Sequence, residues 1–340
     1  MVWGQNDLSP LKLLVYGNQN KRDEDKISMS VQSSVKGEQL RLFLALSRTP
    51  HLIIDLATPM AAALLCIGRL PPISTIILGS ITVFAGYACI YALNDVTDYE
   101  LDKKRMGELP REQVCFDLDC IFVRHPLAQG FISFAGGMVW TALWGFIALV
   151  GATLLNPVCG AIFIFGAMLE VIYCRFYSYS QWKILIAATV KNLGGLAAIY
   201  AVNPDPPLEF IIIVFIWIAF WEVGGQNIPN DLVDMEEDRG LAGKTIPVVY
   251  GPNLSVVIIL ITLIASFALG LGLVFLSPLA FKGVYLVGAI VSGLLFLLLP
   301  LKRFLAERDT SKAINLFNQA SLYPVGIFIT TVFCILIQYI

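Results

Sequence analysis

The sequence is poor in charged residues. Lysine, arginine, aspartate and glutamate make up only 14% of its 340 residues, whereas hydrophobic residues make up 57% and the mean hydropathy is +0.75. Soluble domains usually carry about 25% charged residues. The composition therefore excludes a water-soluble protein and indicates one that crosses a membrane several times. We expect membrane lipid around the chain and no nucleic acid partner.

Histidines and paired cysteines are also scarce. The chain has two histidines and seven cysteines, and no two cysteines stand in a C-x-x-C spacing. Zinc sites and disulfide frameworks depend on such clusters, so neither is expected. Residues 1–35 are polar and mixed in charge, without the apolar core of a signal peptide. We expect residues 1–47 to form a cytosolic tail and an interfacial helix, and 48–340 to form a single membrane domain.

Nine apolar runs are long enough, or nearly so, to cross a bilayer. The predicted fold class is therefore an all-α, polytopic membrane protein with nine transmembrane helices. The split between the seventh and eighth runs, at Ser277-Pro278, has the weakest signal. The runs are approximately 51–68, 73–93, 130–150, 153–173, 184–202, 209–226, 254–277, 280–300 and 318–339.

The basic residues predict the orientation of these spans. With nine spans, all but two of the 23 lysines and arginines fall on one side of the membrane, and only Arg69 and Lys282 fall on the other. Short cytosolic loops carry the excess of lysine and arginine in membrane proteins. The N-terminus is therefore predicted to be cytosolic.

One acidic motif occurs twice, each time at the end of an apolar run. Asn230 begins the second copy 136 residues after Asn94 begins the first. Positions i, i+4 and i+8 of each copy share one helix face. Oxygen-only ligand sets suit Mg²⁺, although such acids can also be solvated loop ends. The predicted metal ligands are Asn94, Asp98 and Asp102 in the first copy and Asn230, Asp231, Asp234 and Asp238 in the second.

Basic residues near these motifs are candidates for binding a diphosphate, whose oxygens need cations as well as metal. Lys191 stands out because it lies inside an apolar run, where an unpaired charge costs roughly 3 kcal/mol. The alternative is that these residues only set the topology. We predict the catalytic residues to be Asp98, Asp234 and Lys183. The predicted diphosphate-binding residues are Arg48, Arg124, Lys183, Lys191, Arg239 and Lys244.

Three carboxylates lie within apolar runs, namely Asp55, Glu170 and Glu222. Intramembrane carboxylates normally face the interior of a helix bundle. With Tyr173, they are candidates for the lining of an acceptor site. Hydrogen bonding between helices is an equally good explanation.

The two motifs, after the second and sixth of nine spans, resemble those of the UbiA superfamily of intramembrane prenyltransferases. The resemblance covers about residues 45–339. The chain departs from the pattern in His125, which separates Arg124 from Pro126, and in an extra stretch at about 106–123. Further similar segments are Arg124-His125-Pro126 entering the third span, Tyr177-Ser178 with Lys183 after the fourth, and Arg239 with Gly243-Lys244-Thr245 after the sixth.

This resemblance implies a helix bundle around a central cavity that opens to lipid, with Mg²⁺ bridging the motifs and an isoprenyl diphosphate. The implied reaction moves the isoprenyl group to an acceptor, commonly an aromatic ring. The same ionisation would also serve a terpene cyclase, and the motifs do not separate the two. An ion-coupled transporter is a remote alternative, since its acids would lie near the midplane on broken helices.

The topology can be tested by labelling cysteines in a cysteine-free background. Because the motif loops are predicted to be cytosolic, Glu24→Cys, Pro110→Cys and Gly240→Cys should react with an impermeant reagent only from the cytosolic side. Asp205→Cys should react only from the opposite side. Labelling of positions 110 and 240 from opposite faces would rule out a common site for the two motifs.

Overall fold

The computed structural model describes residues 37–108 and 122–339. Of the residues in these two ranges, 83% are helical and none lies in a strand. The predicted all-α class is thereby confirmed. Part of the predicted interfacial helix is present as a helix over 37–46. Most of the extra stretch at 106–123 lies outside the described residues.

Nine helices in the described ranges are long and apolar enough to cross a membrane, as predicted. In chain order they are α1 (Thr49–Ile67), α2 (Ile73–Thr97), α3 (Phe134–Leu155), α4 (Pro157–Phe176), α5 (Lys183–Val202), α6 (Leu208–Val233), α7 (Ile246–Leu276), α8 (Lys282–Glu307) and α9 (Thr310–Ile337). Two short helices, Tyr99–Glu108 and Met235–Gly240, follow α2 and α6. The predicted boundary at Ser277-Pro278 is confirmed, because α7 ends at Leu276 and Ser277 is its C-cap residue.

The charged segment at 301–317, which lies between the last two predicted apolar runs, is mostly helical. Helix α8 continues to Glu307, and α9 already begins at Thr310, where the Asp309 side chain accepts a hydrogen bond from the Lys312 backbone N–H at 2.7 Å. The helices persist because Phe304 and Leu316 are buried while charged neighbours face outward. Counting apolar runs misses amphipathic turns of this kind.

Several spans depart from regular α-helix. Leu56 separates α1 into Thr49–Asp55 and Ala57–Ile67. Helix α6 contains a π-helical segment, Glu222–Asn227, between Leu208–Trp221 and Ile228–Val233. Such segments insert one extra residue and often mark functional sites.

The main hydrophobic core lies among α1 and α5–α9. It contains the fully buried rings of Trp217, Trp221, Tyr285 and Tyr323. Helices α2, α3 and α4 pack on one another but contribute no residue to that buried cluster. Space is therefore left between them and the rest of the bundle, and the cavities described below occupy it.

Close packing of the π-helical segment against α7 makes a testable stability prediction. A methyl group on Gly224 would lie 2.1 Å from Thr262 Oγ1 and 3.3 Å from the Ile259 carbonyl oxygen. Gly224→Ala should therefore lower the free energy of unfolding by about 1–3 kcal/mol, the range for overpacked sites. Thermal unfolding in detergent would measure the change.

Gly272→Ala in α7 is the matched control, because no heavy atom lies within 4 Å of the methyl group it would add. Alanine also favours a helix over glycine. The control should unfold at or slightly above the wild-type temperature. Equal stability of the two variants would contradict the packing argument.

Candidate active site

The two acidic motifs have the same backbone structure. Each was predicted to lie on one continuous helix, but each helix breaks at its middle aspartate. Asp98 and Asp234 share φ −91° and ψ 8°, outside the regular helical region. Hydrogen bonds continue across both breaks, from Asp102 N–H to the Asp98 carbonyl and from Asp238 N–H to the Asp234 carbonyl, each at 2.8 Å. The sequence repeat is therefore also a repeat of local structure.

Both motifs line one polar cavity of about 200 Å³. It collects residues that are more than a hundred positions apart in sequence. All seven predicted metal ligands and three of the six predicted diphosphate-binding residues line it, namely Asn94, Asp98, Asp102, Asn230, Asp231, Asp234, Asp238, Arg48, Arg124 and Lys183.

The other three predicted diphosphate-binding residues lie elsewhere. Lys191 pairs with Asp55 and lines a neighbouring cavity. Arg239 is exposed and pairs with Glu236 at 2.6 Å. Lys244 is also exposed, and its backbone N–H donates to the Tyr177 carbonyl at 2.8 Å. Proximity in sequence to the second motif did not place Arg239 and Lys244 in the cavity.

Arg105, which sequence reasoning did not single out, connects the two motifs. Its Nη2 lies 3.3 Å from Asp238 Oδ1, its Nε contacts the Glu237 carboxylate, and its Nη1 lies 3.8 Å from Asp102 Oδ1. The Asp102 contact is an i, i+3 pair on one helix face, a spacing that could have drawn attention to Arg105. Arg105 thus joins acids of both repeats.

His125 is the second missed residue. Its Nδ1 lies 3.0 Å from Asp102 Oδ2 and 3.6 Å from Asp95 Oδ1. Its backbone is left-handed, with φ 49°. Burial lowers the pKa of His125, but the contacts with Asp102 and Asp95 outweigh burial and raise it above its usual value. His125, which separates Arg124 from Pro126 in the sequence, therefore contacts two acids of the first motif.

Three predicted basic residues stand at separate points of the cavity wall. Arg48 Nη2 lies 3.3 Å from Asp95 Oδ1, and Arg124 Nη2 lies 3.7 Å from Asp234 Oδ2. Lys183 Nζ lies over the rings of Tyr173 and Tyr177, at 5.2 and 4.9 Å from their centroids. Such contacts hold a lysine head by cation–π attraction.

Negative charge exceeds positive charge in this cavity. Six aspartates line it, against Arg48, Arg105, Arg124, Lys183 and the titratable His125. Asp98 forms no ion pair with any residue that the structure describes. Burial, with the nearby Asp102, raises the pKa of Asp98 to about 6, and burial also raises the pKa of Asp234. Both carboxylates would be stabilised by a bound cation.

The donor atoms of the site suit a hard divalent ion. They are carboxylate and amide oxygens, which Mg²⁺ prefers. Asp102 and Asp238 are already engaged by Arg105, whereas Asp98 and Asp231 have no ion pair within the described part of the chain. One further group, Asp95, Asp102 and His125, has ligand atoms within 4.8 Å of one another.

A second cavity of about 310 Å³ adjoins the polar one. Five residues line both the polar cavity and the second cavity, namely Arg48, Asn94, Tyr173, Asn230 and Asp231. A third, almost wholly apolar cavity of about 210 Å³ continues from the second toward the far ends of α1 and α5. The second and third cavities share Thr82, Val83, Ala152, Cys159 and Ala197.

The three intramembrane carboxylates are all hydrogen-bonded. Asp55 accepts from both Tyr91 and Lys191, which lie on different helices from it. Glu170 in α4 accepts from Asn94 Nδ2 in α2 at 2.7 Å. Glu222 accepts from Asn227 Nδ2 within the π-helical segment, also at 2.7 Å. Asp55 and Glu170 therefore connect helices, and Glu170 and Glu222 also line the second cavity.

The role of Arg105 can be tested by its removal. Arg105→Ala should destabilise the protein by about 3 kcal/mol or more, because it leaves the buried Asp238 and Glu237 without their cation. A lower thermal unfolding temperature in detergent would report this. Lys104→Ala is the control, since Lys104 is exposed beside it. Equal unfolding temperatures for the two variants would contradict the role given to Arg105.

Comparisons with known proteins agree with this geometry. Digeranylgeranylglyceryl phosphate synthase of Thermococcus sibiricus is 26% identical over 67% of this chain and 76% of its own, and that of Methanosphaera stadtmanae is 25% identical over 70% and 78%.

Solved structures share the fold. A UbiA homolog from Archaeoglobus fulgidus bound to DMAPP and Mg²⁺ matches with a TM-score of 0.62 at 16% identity, covering 85% of this chain and 99% of that one. An apo UbiA homolog from Aeropyrum pernix K1 matches with a TM-score of 0.64 at 18% identity over 85% and 98%. The model of the UbiA prenyltransferase family matches residues 56–322. This chain belongs to the UbiA prenyltransferase family and is a multi-pass membrane protein.

Proposed function

We propose that the protein transfers an isoprenyl group from its diphosphate to a lipophilic acceptor, with Mg²⁺ as cofactor. One observation carries the proposal, namely that the acidic cavity adjoins a largely apolar one inside the bundle and shares five lining residues with it. An isoprenyl diphosphate has the same division into a charged head and an apolar chain. The reactive C1 atom would lie at the boundary between the two cavities.

The diphosphate is assigned to the polar cavity, beside Arg48, Arg124 and Lys183. Their three cationic heads stand on different walls and can contact phosphate oxygens from several directions. Lys183 is held over two tyrosine rings rather than by a carboxylate. Lys191, Arg239 and Lys244 are not part of this proposed set, because they do not line the polar cavity.

The acids of the two motifs are assigned to the metal. Bound there, Mg²⁺ would supply the positive charge that stabilises the diphosphate as a leaving group. Asp98, Asp231 and Asp234 are the strongest ligand candidates, since Arg105 already engages Asp102 and Asp238. The proposed full set is Asn94, Asp98, Asp102, Asn230, Asp231, Asp234 and Asp238.

The isoprenyl chain is assigned to the second cavity and its apolar continuation. Small side chains, among them Ala152 and Ala197, stand where the second and third cavities meet. They leave a path along the helices toward the side of the membrane opposite the motifs. This arrangement keeps the chain away from water while its head stays in the polar cavity.

The acceptor is proposed to be a lipophile, whether aromatic or based on glycerol. The relatives' name describes a glyceryl phosphate that carries two geranylgeranyl groups. Geranylgeranyl diphosphate and geranylgeranylglyceryl phosphate are thus the first donor and acceptor to test. Transfer is favoured over cyclisation because Glu170, Lys191 and Glu222 line the second cavity, whereas a cyclase needs an apolar contour.

Substitution of the motif aspartates tests the proposal. Asp98→Asn and Asp234→Asn should each lower the rate of Mg²⁺-dependent prenyl transfer by about 10²–10³-fold, as is typical when one electrostatic group is lost from an active site. The assay would follow diphosphate release and prenylated product in detergent.

Glu100→Gln is the matched control for the first motif, because Glu100 is exposed and only two residues from Asp98. Its activity should stay close to that of the wild type. Wild-type activity in Asp98→Asn or Asp234→Asn would exclude the two-motif site.

A further inference from the structure

The second cavity has a polar wall that diphosphate binding does not use. Glu222 and Asn227 of α6 line it, with Lys191 of α5 and His51 of α1. Burying charged groups at this depth is costly, and a cavity that held only an isoprenyl chain would need none of them. The wall therefore points to a ligand with a polar group.

The wall residues of α6 share one face of the helix. Glu222, Gln226 and Asn230 are spaced i, i+4 and i+8, and together with Asn227 they line the second cavity. Asn227 Nδ2 donates to Glu222 Oε1 at 2.7 Å and to the Glu222 carbonyl at 3.2 Å. These two bonds fix the carboxylate close to the end of α6 that carries the second motif.

One oxygen of Glu222 lacks a donor. Oε2 is buried and has no hydrogen-bond partner among residues 37–108 and 122–339. An unsatisfied buried acceptor costs about 1–3 kcal/mol. Tyr87, in α2, lines the same cavity, and its buried hydroxyl likewise has no partner in those residues. A ligand hydroxyl would satisfy Glu222 Oε2.

Lys191, which lines the same cavity, pairs with Asp55 and not with Glu222. Its Nζ pairs with Asp55 and lies over the rings of Tyr87 and Trp221, at 5.4 and 5.6 Å from their centroids. Glu222 forms no ion pair within the part of the chain that the structure describes. Glu222 is therefore a proton acceptor, and the lysine that lines the cavity with it is already paired with Asp55.

We infer that Glu222 is the general base of the transfer and that the acceptor presents a neutral hydroxyl to it, on an alcohol or a phenol. This inference rests on the proposed function. In the step, the bond from C1 to the diphosphate oxygen breaks, and its electron pair leaves with the diphosphate. The hydroxyl oxygen bonds to C1, its O–H bond breaks, and the proton goes to Glu222 Oε2. Water later removes that proton.

The groups around Glu222 fit this role. The charged groups that act on it are Lys191 from α5 and Asp55 from α1. Tyr87 from α2 and Glu170 from α4 line the same cavity. The neighbouring surfaces of α7 and α9 present Thr262 and Ala320 to the segment, which carry no charge. Asn227 fixes the carboxylate without protonating it.

The test compares Glu222→Gln with the wild-type protein, using Mg²⁺, geranylgeranyl diphosphate and one acceptor at a time. The acceptors are geranylgeranylglyceryl phosphate as the alcohol and 4-hydroxybenzoate as the phenol. Acceptor prenylated on oxygen, acceptor prenylated on a ring carbon, and prenol, the product of capture by water, are quantified separately. Glu222→Gln should form prenylated acceptor about 10²–10⁴-fold more slowly, the usual effect of losing a general base. Diphosphate release should change much less, so prenol should become the main product.

Two further variants separate catalysis from structure. Glu222→Asp retains a carboxylate and should recover part of the transfer that Glu222→Gln loses. Glu209→Gln, at the exposed opposite end of α6, should behave like the wild type. The unfolding temperature of Glu222→Gln should stay close to the wild-type value.

Different results would contradict the role of Glu222, the hydroxyl acceptor and the proposed function. The role of Glu222 is overturned if Glu222→Gln forms prenylated acceptor at the wild-type rate, or if Glu222→Asp is as impaired as Glu222→Gln. The hydroxyl acceptor is overturned if the wild type yields only ring-prenylated phenol, prenol or cyclic hydrocarbon with these acceptors. Absence of diphosphate release from the wild type would instead contradict the proposed function.

Discussion

The guanidinium of Arg105 joins the two halves of the molecule where negative charge is densest. The motif acids repel one another, and the fold brings both sets to one cavity. Arg105 lies between them, in contact with Asp102 from the first repeat and with Glu237 and Asp238 from the second. With this cation in place, the remaining acids can stay close together in the cavity.

The polar cavity and the apolar cavities occupy different parts of the helix bundle. The motif acids stand at the ends of α2 and α6, and the cations that line the polar cavity with them come from other segments, while the apolar cavities extend between the helices. Where the two environments meet, Asn94 and Asn230 line both the polar and the second cavity. The proposed substrate, with its charged head and apolar chain, would thereby be held in one orientation, which is the main requirement for breaking its C1–O bond in a defined place.

Local patterns in the sequence determined the membrane spans and many of the residues that line the polar cavity. The nine spans followed from apolar runs, because a bilayer demands about twenty apolar residues per crossing. The repeated motif identified the acids of the polar cavity, and the nearby Arg48, Arg124 and Lys183 proved to line it with them. Periodicity also placed each set of acids on one side of its helix, although the break at Asp98 and Asp234 was not foreseen. These features depend on neighbours in the chain and on the solvent, so the sequence by itself contains them.

Tertiary structure decided which charges meet. Arg105 contacts Asp238 across 133 residues, and Lys191 reaches Asp55 across 136. Neither pairing follows from spacing, because it depends on how each helix is rotated and packed. The same holds for the π-helical segment Glu222–Asn227, which packs against α7 at Gly224. The sequence determined that acids and bases would lie at one end of the bundle, and only the packing of the helices determined their partners.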